Sequence, residues 1–442
     1  MIRNIWLSLS ITLLCFAVPR ANAIPSYARQ TGLSCNGCHY TPPELNAAGR
    51  RFKLTGYVDR KADNAVTSPS DKRHAGLDLL ASLPLSAWFE TSFTNTKAPQ
   101  PSTQNGNFEF PQDISLFLAG AWSTHIGSFL QVTYSTQDDH FTMDNTDVRY
   151  ARVKQVNGKE WVWGIDLNNN PTVEDLWNST PAWGFPFIAS DVAPTPTAAP
   201  IIQSLGQDVA GIGAYTMWNQ HLYLAGTIYR SAHIASTQPP TGQDFPFNIR
   251  GVAPYWRVAW EQNRAKDSIE FGTYGMRMDS TPGAVVGPQD RFTDIAFDFQ
   301  YDRTIARKDV FSLRGTYIRE NSDLIASFPT GAAVSKHHLN VFNTNGEYHF
   351  GSRYSAALGW FSTTGTSDPL LFPSAPIAGN ANGNPQSNGY VLNFSVWPIQ
   401  NLDLGIQYTG YTRFNGAANN YDGAGRNANG NNTIYLLARF VF

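Results

Sequence analysis

The chain has 442 residues, which is enough for one large barrel or for two to three ordinary domains. Charged residues make up 15% of it and aromatic residues 13%, whereas charged residues are about a quarter of an ordinary globular protein. The net charge of −2 argues against nucleic-acid binding, and the scarcity of charge indicates a surface that does not face water everywhere.

The first 23 residues have the pattern of a cleaved secretory signal. Arg3 supplies the positive end, residues 5–18 form a short apolar stretch, and Ala21–Ala23 fits the small-x-small cleavage site. Cleavage after Ala23 removes Cys15, so only the other two of the three cysteines stay in the mature chain. No later stretch reaches the ~20 apolar residues of a membrane helix, so we expect any membrane crossing to be made by strands.

The two remaining cysteines, Cys35 and Cys38, precede His39 in the run Cys-Asn-Gly-Cys-His. This C-x-x-C-H spacing is typical of c-type haem attachment. The two thiols would form thioether bonds to one haem c, and His39 would be the proximal iron ligand. Two alternatives stay open: a disulfide or redox pair with an incidental histidine, or a structural zinc site that also uses His74.

Residues 24–76 are treated as the haem segment. The run Thr41-Pro-Pro-Glu44 has the pattern of a capping box and predicts a helix from Pro43 to about Leu54. One face of that helix would cover the haem edge with Leu45, Ala48 and Phe52, and its basic residues would pair with the propionates: Arg50, Arg51 and Lys53. About 50 residues with one helix cannot enclose a haem and still build a core of their own.

From residue 77 onward the sequence repeats alternating apolar and polar segments separated by turns or loops. In Ile295–Tyr301, for example, Ile295, Phe297, Phe299 and Tyr301 share one face, opposite Ala296, Asp298 and Gln300. We predict about sixteen strands, starting near Leu77, Asp113, Ile126, Asp147, Glu160, Val209, His221, Val252, Asp267, Arg291, Asp309, His338, Arg353, Gly389, Leu402 and Thr433.

Short and long connections alternate between these segments, as they do in outer-membrane barrels. The chain also ends in an alternating strand with a terminal aromatic residue, Phe442. We therefore predict an all-β fold: a signal peptide (1–23), a monohaem cytochrome c plug (24–76) and a transmembrane porin-like β-barrel (77–442) of about 16 strands in the bacterial outer membrane. A soluble periplasmic β-sandwich or propeller is the alternative. We expect the haem segment to plug the lumen, where the barrel wall completes the haem pocket.

Several short motifs surround the C-x-x-C-H run: Ala28-Arg-Gln-Thr-Gly32, Pro43-Glu-Leu-Asn46, Gly49-Arg50, Phe52-Lys53 and Gly56-Tyr57. Others follow in one loop: Asn168-Asn-Asn-Pro-Thr172, Asp175-Leu-Trp-Asn178 and Pro181-Ala-Trp-Gly-Phe-Pro186. With these motifs the chain resembles the outer-membrane cytochrome–porin fusions, monohaem proteins best known as iron(II) oxidases of iron-oxidising bacteria.

The resemblance implies that a haem in the plug takes electrons from external Fe(II) and passes them to a periplasmic c-type cytochrome or copper protein. Cys35, Cys38 and His39 carry over directly as the haem-binding residues. The expected activity is that of an oxidoreductase of the Fe(II):cytochrome c type. The resemblance supports electron transfer more firmly than it supports iron as the donor.

The sixth ligand of the haem iron is not evident from the sequence. In the strand Tyr274–Met278, Met276 and Met278 are predicted to face the lumen, since Ile269 and Phe271 define the lipid face. A methionine ligand would raise the reduction potential. Other candidates are Met217, Met143, His74 and an open or water-bound position, and Met276 and Met278 would otherwise pack against the plug.

An Fe(II) site would be rich in oxygen ligands and would face outward. The run Gln137–Asp144 is predicted to lie in an outer loop and offers three carboxylates and one imidazole, a ligand set that suits Fe(II): Asp138, Asp139, His140 and Asp144. The plain alternative is a solvated acidic loop.

The connection 168–208 is too long to be a simple turn. We expect its aromatic residues to fold over the barrel mouth and shield the haem: Trp177, Trp183, Phe185 and Phe187. The lumen-facing Asp294 and Asp298 would attract cations or pair with the arginines of the plug.

Three functions compete. The leading hypothesis is an electron conduit through the outer membrane with Fe(II) or another external donor. The second is a porin-like channel whose N-terminal segment is a plug, and the third is a protein that binds haem or metal without turnover.

Overall fold

The computed structural model describes residues 24–58, 84–232, 248–282, 286–306, 308–351 and 353–442. The predicted signal peptide, the predicted boundary at residue 76 and the candidate ligand His74 lie outside these residues. No helix among the described residues is long and apolar enough to cross a membrane.

Within the described residues, seventeen strands form one antiparallel sheet. They are β1 Leu85–Thr96, β2 Asn107–Glu109, β3 Asp113–Ala121, β4 Ile126–Ser135, β5 His140–Val156, β6 Lys159–Asn168, β7 Val209–Trp218, β8 Leu222–Ser231, β9 Ala253–Asn263, β10 Asp267–Ser280, β11 Asp290–Ala306, β12 Asp309–Asp323, β13 Lys336–Phe350, β14 Tyr354–Gly365, β15 Ser387–Ile399, β16 Leu402–Arg413 and β17 Thr433–Val441.

The sheet closes on itself because β1 pairs with β17 from Trp88 opposite Val441 to Thr96 opposite Thr433. On its other side β1 pairs with both β2 and β3, so these two short strands share one place in the wall. Seventeen strands therefore give sixteen places, and the predicted closed barrel of about 16 antiparallel strands is confirmed.

The two ends of the barrel differ in their connections. At one end, the short-turn end, β5 and β6, β7 and β8, and β15 and β16 are joined by two or three residues each, and β1 begins and β17 ends there. At the other, the long-loop end, the connections include residues 169–208, 366–386 and 414–432. The predicted alternation of short and long connections is confirmed.

Side chains alternate across the wall as predicted. In β11, Phe297 is 58% exposed on the outside, while its neighbours Ala296 and Asp298 are 0% and 4% exposed on the inside. The same holds in β10, where Phe271 points out and Tyr274 points in. An apolar outside and a polar inside is the pattern of a barrel whose solvent is lipid.

The strand start predicted near Asp147 was wrong, and the one predicted near Leu77 lies outside the described residues. Residues 140–144 were expected in an outer loop, but they begin β5. Phe141 and Met143 are exposed on the outer face there, while Asp144 is half-buried and accepts a hydrogen bond from the Thr133 hydroxyl. The alternation of inward and outward side chains thus extends back to His140. The acidic residues of this stretch had led us to predict a loop instead.

The N-terminal segment lies in the lumen at the short-turn end. It contains helices α1 Pro25–Thr31, α2 Cys35–Cys38 and α3 Ala47–Leu54. The Ser26 amide donates to the Ser86 hydroxyl at the start of β1 at 3.0 Å. Residues 24–58 therefore form a plug, which we call the plug segment below.

The predicted start of the plug helix was wrong. Helix α3 begins at Ala47, and Asn46 caps it by accepting hydrogen bonds from the amides of Ala48 at 2.9 Å and Gly49 at 3.1 Å. Glu44 does not cap the helix, because its carboxylate pairs with Arg314 of β12 instead. A tertiary ion pair has displaced a local capping interaction.

The connection 169–208, called the inner loop below, folds into the lumen above the plug segment. It carries a 3-10 turn, Pro181–Trp183, and a short helix α4, Ile201–Ser204. Trp177 of this loop is fully buried and packs edge-on against Tyr223 at 5.6 Å between ring centroids. The loop is thus part of the interior of the barrel.

Candidate functional site

A cavity of about 330 Å³ lies between the plug segment, the inner loop and the barrel wall. The plug segment lines it with Cys35, Cys38 and His39. The other two sides contribute mainly large apolar side chains: Trp183 and Phe187 from the inner loop, and Trp88, Phe129 and Trp397 from the wall. The barrel therefore supplies the pocket that the short N-terminal segment cannot build alone.

The motif at the cavity is held by a tight contact between α2 and α3. Asn46 connects them. Its backbone N–H donates to the Cys38 carbonyl at 2.9 Å, and its side-chain amide donates to the Gly37 carbonyl at 3.2 Å. Residue 49 must be glycine for the same reason, since a β-carbon there would stand 2.2 Å from the Cys38 carbonyl oxygen. These contacts fix the direction of the two cysteines.

His39 is held as a neutral imidazole. Burial lowers the pKa of His39 to about 4, although hydrogen bonding to the backbone carbonyls of Pro43 and Glu44 opposes the shift. Its Nδ1 atom is buried and has no hydrogen-bond partner. A metal ligand needs a neutral, unprotonated ring nitrogen, and the buried Nδ1 of His39, which makes no hydrogen bond, meets that condition.

The two thiols and the imidazole fit a haem c. Both cysteines are half-buried at the cavity wall, and the Cys35 thiol donates to the Gln400 carbonyl at 3.9 Å. Among the described residues, Cys35, Cys38 and His39 do not bring their ligand atoms within 4.8 Å of one another, as the ligands of a single zinc ion would. Residues spread along an apolar cavity suit a large planar macrocycle better than a point ion.

Two cations line the cavity. Lys53 of α3 donates to the carbonyls of Val173 and Asp175, each at 2.7 Å, and lies 4.4 Å from the ring centroid of Trp183. Arg439 of β17 lies 4.6 Å from the ring centroid of Trp88. Lys53 can offset the negative charge of a propionate group, whereas Arg439 already pairs with Glu90 and with Asp403 at 3.5 Å.

The other two basic residues of α3 do not reach the cavity, contrary to the prediction. Arg50 pairs with Glu261 at 3.1 Å and with Asp302 at 3.3 Å, and Arg51 pairs with Glu160. Both are therefore engaged by the barrel wall. Arg439 was missed because nothing in the sequence brings the last strand beside the N-terminal motif; only barrel closure does.

The structure does not bring the candidate sixth ligands to His39. Met276 and Met278 do face the interior, but they are buried in a cluster with Ile201 and Ile202 of α4 and do not line the cavity. Met217 packs with Leu54 and Trp177, which also keeps it out of the cavity lining, while Met143 is on the outer surface. Met276 and Met278 therefore have a packing role, which was the alternative to iron ligation. They pack against the inner loop, whereas the prediction had them pack against the plug.

The candidate Fe(II) ligands of the outer end are not gathered around one point. Asp138, Asp139 and His140 are exposed at the long-loop end, where Asp139 accepts a hydrogen bond from Tyr134 at 2.6 Å. Among the described residues, no three of Asp138, Asp139, His140 and Asp144 bring their ligand atoms within 4.8 Å of one another. The arrangement matches a solvated acidic turn.

The inner loop shields the cavity partly as expected. Trp183 and Phe187 line it, whereas Trp177 stacks near Arg257 and Phe185 packs against Gly359. Neither lumen-facing aspartate pairs with an arginine of the plug segment. Asp298 binds Arg257 at 2.7 Å, and Asp294 accepts a hydrogen bond from the Ile202 amide at 2.8 Å. The Asp294 contact, together with a hydrogen bond from the Ser179 hydroxyl to Asp298 at 2.5 Å, fastens the inner loop to the wall.

A second cavity of about 430 Å³ lies on the other side of the inner loop, against β12 to β17. Asn178, Gly184 and Pro186 line both cavities, so a single stretch of loop separates them. About half of the residues that line it carry a hydroxyl or amide group, and Arg314 is the one charged residue among the described residues that line it.

No protein-family model matches the chain, and no curated protein matches it. Among solved structures, the anion-selective porin from Comamonas acidovorans is 11% identical with a TM-score of 0.48, covering 82% of this chain and 99% of that one. The outer membrane channel DcaP of Acinetobacter baumannii is 12% identical with a TM-score of 0.45, over 81% and 96%. OmpT, an outer membrane protein of Vibrio cholerae, is 9% identical with a TM-score of 0.43, over 81% and 96%. These likenesses are weak, and the assignment of a closed, porin-like barrel rests on this chain's own strand pairing.

Proposed function

We propose that this protein is an outer-membrane c-type cytochrome in which a β-barrel holds one covalently bound haem c and carries electrons across the membrane. The observation that carries the proposal is the cavity that begins at Cys35, Cys38 and His39 and is completed by the wall. An apolar cavity in contact with a C-x-x-C-H run is what covalent haem attachment requires.

The membrane location is supported by the outer face of the barrel. Phe297, Phe271 and Leu358 are each more than half exposed there, on three different strands. A closed barrel satisfies its backbone hydrogen bonds internally, so such a surface is stable in lipid. By the usual orientation of these barrels the short-turn end and the plug segment face the periplasm, and the long-loop end faces outward.

When bound, haem c supplies a centre that accepts and releases one electron at a time. The chain's own residues attach it, keep His39 neutral and exclude water with Trp88, Trp183 and Phe187. Lys53 supplies positive charge at its edge. Leu33 lines the cavity and is 43% exposed, so a periplasmic cytochrome or copper protein can approach within a short distance.

Fe(II) is the donor that the resemblance implies, which would make the protein an Fe(II):cytochrome c oxidoreductase. A donor from outside would reach the haem cavity through the second cavity, since only residues 178–186 of the inner loop separate the two. The amide and hydroxyl oxygens there can replace water around a cation, and the exposed Asp138 and Asp139 can raise its concentration at the mouth.

The test is reduction of the haem by iron added to sealed liposomes that contain the protein. We expect the absorption bands of reduced haem to appear on addition of Fe(II) and to disappear when an internal acceptor is supplied. If haem is bound and other donors reduce it but Fe(II) does not, iron oxidation is wrong and electron transfer stands. If the purified protein contains no haem, the whole proposal fails.

A porin-like channel with an N-terminal plug is the second candidate function. The closed barrel and the second cavity support it, because the hydroxyl and amide groups in the lining of that cavity suit small hydrophilic solutes. Single-channel conductance in planar bilayers tests it. Under the cytochrome hypothesis the plug segment and the inner loop keep the conductance far below that of an open sixteen-stranded pore.

A further inference from the structure

A group of buried ionisable side chains joins the plug segment to the wall outside the haem cavity. Glu44 of the plug segment meets Glu347 and His349 of β13, and one ligand atom from each lies within 4.8 Å of the others. All three side chains are at most 2% exposed. The three come from two parts of the chain that are about 300 residues apart, so the group exists only when the plug is seated.

Two atoms of this group make no hydrogen bond. His349 Nε2 and Glu347 Oε2 are buried, and neither makes a hydrogen bond. The other ring nitrogen, Nδ1, contacts the Thr41 hydroxyl at 2.9 Å. A ring nitrogen oriented through its neighbour and left open on its far side is the usual arrangement of a metal-binding histidine.

The surrounding charges are unbalanced. Arg314 pairs with Glu44, with Asp302 at 3.8 Å and with Glu347 at 3.9 Å, while Arg50 pairs with Asp302 and with Glu261. Two guanidinium groups therefore face four carboxyl groups, so acidic groups outnumber basic ones in this buried network. Lys308 stands near His349 but is exposed to solvent. An uncompensated buried charge is costly, and a divalent cation would neutralise it.

We propose that Glu44, Glu347 and His349 bind one divalent transition-metal ion, separate from the haem, that fastens the plug segment to the barrel. Two carboxylates and one imidazole suit Fe²⁺, Mn²⁺ or Zn²⁺. Each carboxylate has two oxygens, so Glu44 can keep its ion pair with Arg314 through Oε1 and offer Oε2 to the metal. The site is independent of the cysteines and does not require the haem proposal to be correct.

The test is equilibrium dialysis of the detergent-solubilised, chelator-treated full chain against Zn²⁺, with the bound zinc per chain measured by elemental mass spectrometry. We expect the wild-type protein to bind about one zinc more than the H349Q variant. His337→Gln is the matched control, since His337 is also buried on β13 but lies at the strand's other end. It should bind as the wild type does.

Two further variants distinguish this site from zinc binding elsewhere in the chain. If H349Q does not fold into a heat-resistant barrel, Glu347→Gln replaces it, because that change keeps the size of the side chain. The double variant C35A/C38A should retain the zinc, which excludes binding at the cysteines. The proposal is overturned if wild-type protein binds no more zinc than the variant of His349 or Glu347, or if the cysteine variant loses the ion.

Discussion

Gly49 and Cys38 lie so close that a β-carbon on residue 49 would stand 2.2 Å from the Cys38 carbonyl oxygen. The helix α3 is thereby pressed onto the turn that carries the haem motif. Together with the Asn46 hydrogen bonds, this contact determines where the second thiol lies relative to the cavity.

Gly49→Ala should therefore separate the two helices and misplace Cys38. Inserting a methyl group where no space exists costs roughly 1–3 kcal/mol, and we expect a smaller fraction of chains to carry covalent haem. Urea unfolding followed by tryptophan fluorescence measures the loss of stability. Haem staining per unit protein measures the loss of covalent haem. The control is Gly226→Ala, where the new carbon would meet only the Tyr255 carbonyl at 3.9 Å. Equal behaviour of the two variants would contradict the role given to Gly49.

Arg257 ties the inner loop to the wall. Its guanidinium group lies 2.7 Å from Asp298, 3.2 Å from Asp175 and 3.4 Å from Glu270, all fully or nearly fully buried. Arg257→Met leaves those carboxylates without a cation, which typically costs about 3–5 kcal/mol. We expect a lower unfolding midpoint and a larger bilayer conductance as the loop is released.

The matched control is Arg291→Met, because Arg291 forms an ion pair with Asp279 at the partly exposed end of β10. Exposed pairs contribute little to stability. A conductance that stays unchanged in Arg257→Met would show that other contacts hold the loop.

Lys53 should tune the reduction potential of the haem. Replacing the cation at the cavity by a neutral side chain, Lys53→Gln, favours the oxidised iron, so the midpoint potential should fall by some tens of millivolts, on the scale of the ~59 mV that equals a factor of ten for one electron. Burial and the nearby Arg149 lower the pKa of Lys53 to about 7. Lys53 is charged below that pH, so the difference from wild type should be largest at pH 6 and shrink by pH 8.5.

Redox titration followed by absorption at those two pH values measures this effect. Arg51→Gln is the control, since Arg51 is on the same helix but pairs with Glu160. If Lys53→Gln leaves the potential unchanged at pH 6, the lysine does not act on the haem.

His39 should make the haem-free protein sensitive to acid. Its pKa of about 4 in the folded state lies below the ordinary value of 6.5, so the unfolded chain binds the proton more readily. Stability is therefore complete above pH 6.5 and declines as the pH falls toward 4, by about 1–3 kcal/mol. The measurement is the unfolding midpoint of C35A/C38A across this range. Adding His39→Gln to that variant should flatten the decline, and an unchanged slope would contradict the assignment.

The sequence predicts the wall well and the interior poorly, for physical reasons. In β11, lipid on one side and polar contents on the other impose a strict alternation, so Phe297 and Asp298 could be placed on opposite faces without any partner. The same rule correctly turned Met276 and Met278 inward. It could not say at what depth or against what they pack, since that depends on how the inner loop folds.

Long-range contacts account for the remaining errors. Glu44 has the spacing of a helix cap, but Arg314, 270 residues away, takes its carboxylate. Arg439 reaches the cavity only because β17 closes against β1. Such partners carry no local signal in the sequence, whereas the C-x-x-C-H run does.

The covalent haem is tested by the intact mass of the purified protein, produced in a host that attaches c-type haem. We predict that the denatured wild-type chain is heavier than its polypeptide by one haem, and that C35A/C38A, with both cavity-lining thiols removed, has the polypeptide mass alone. A wild-type mass equal to that of the polypeptide would contradict the cytochrome proposal and leave the porin-like channel as the better account.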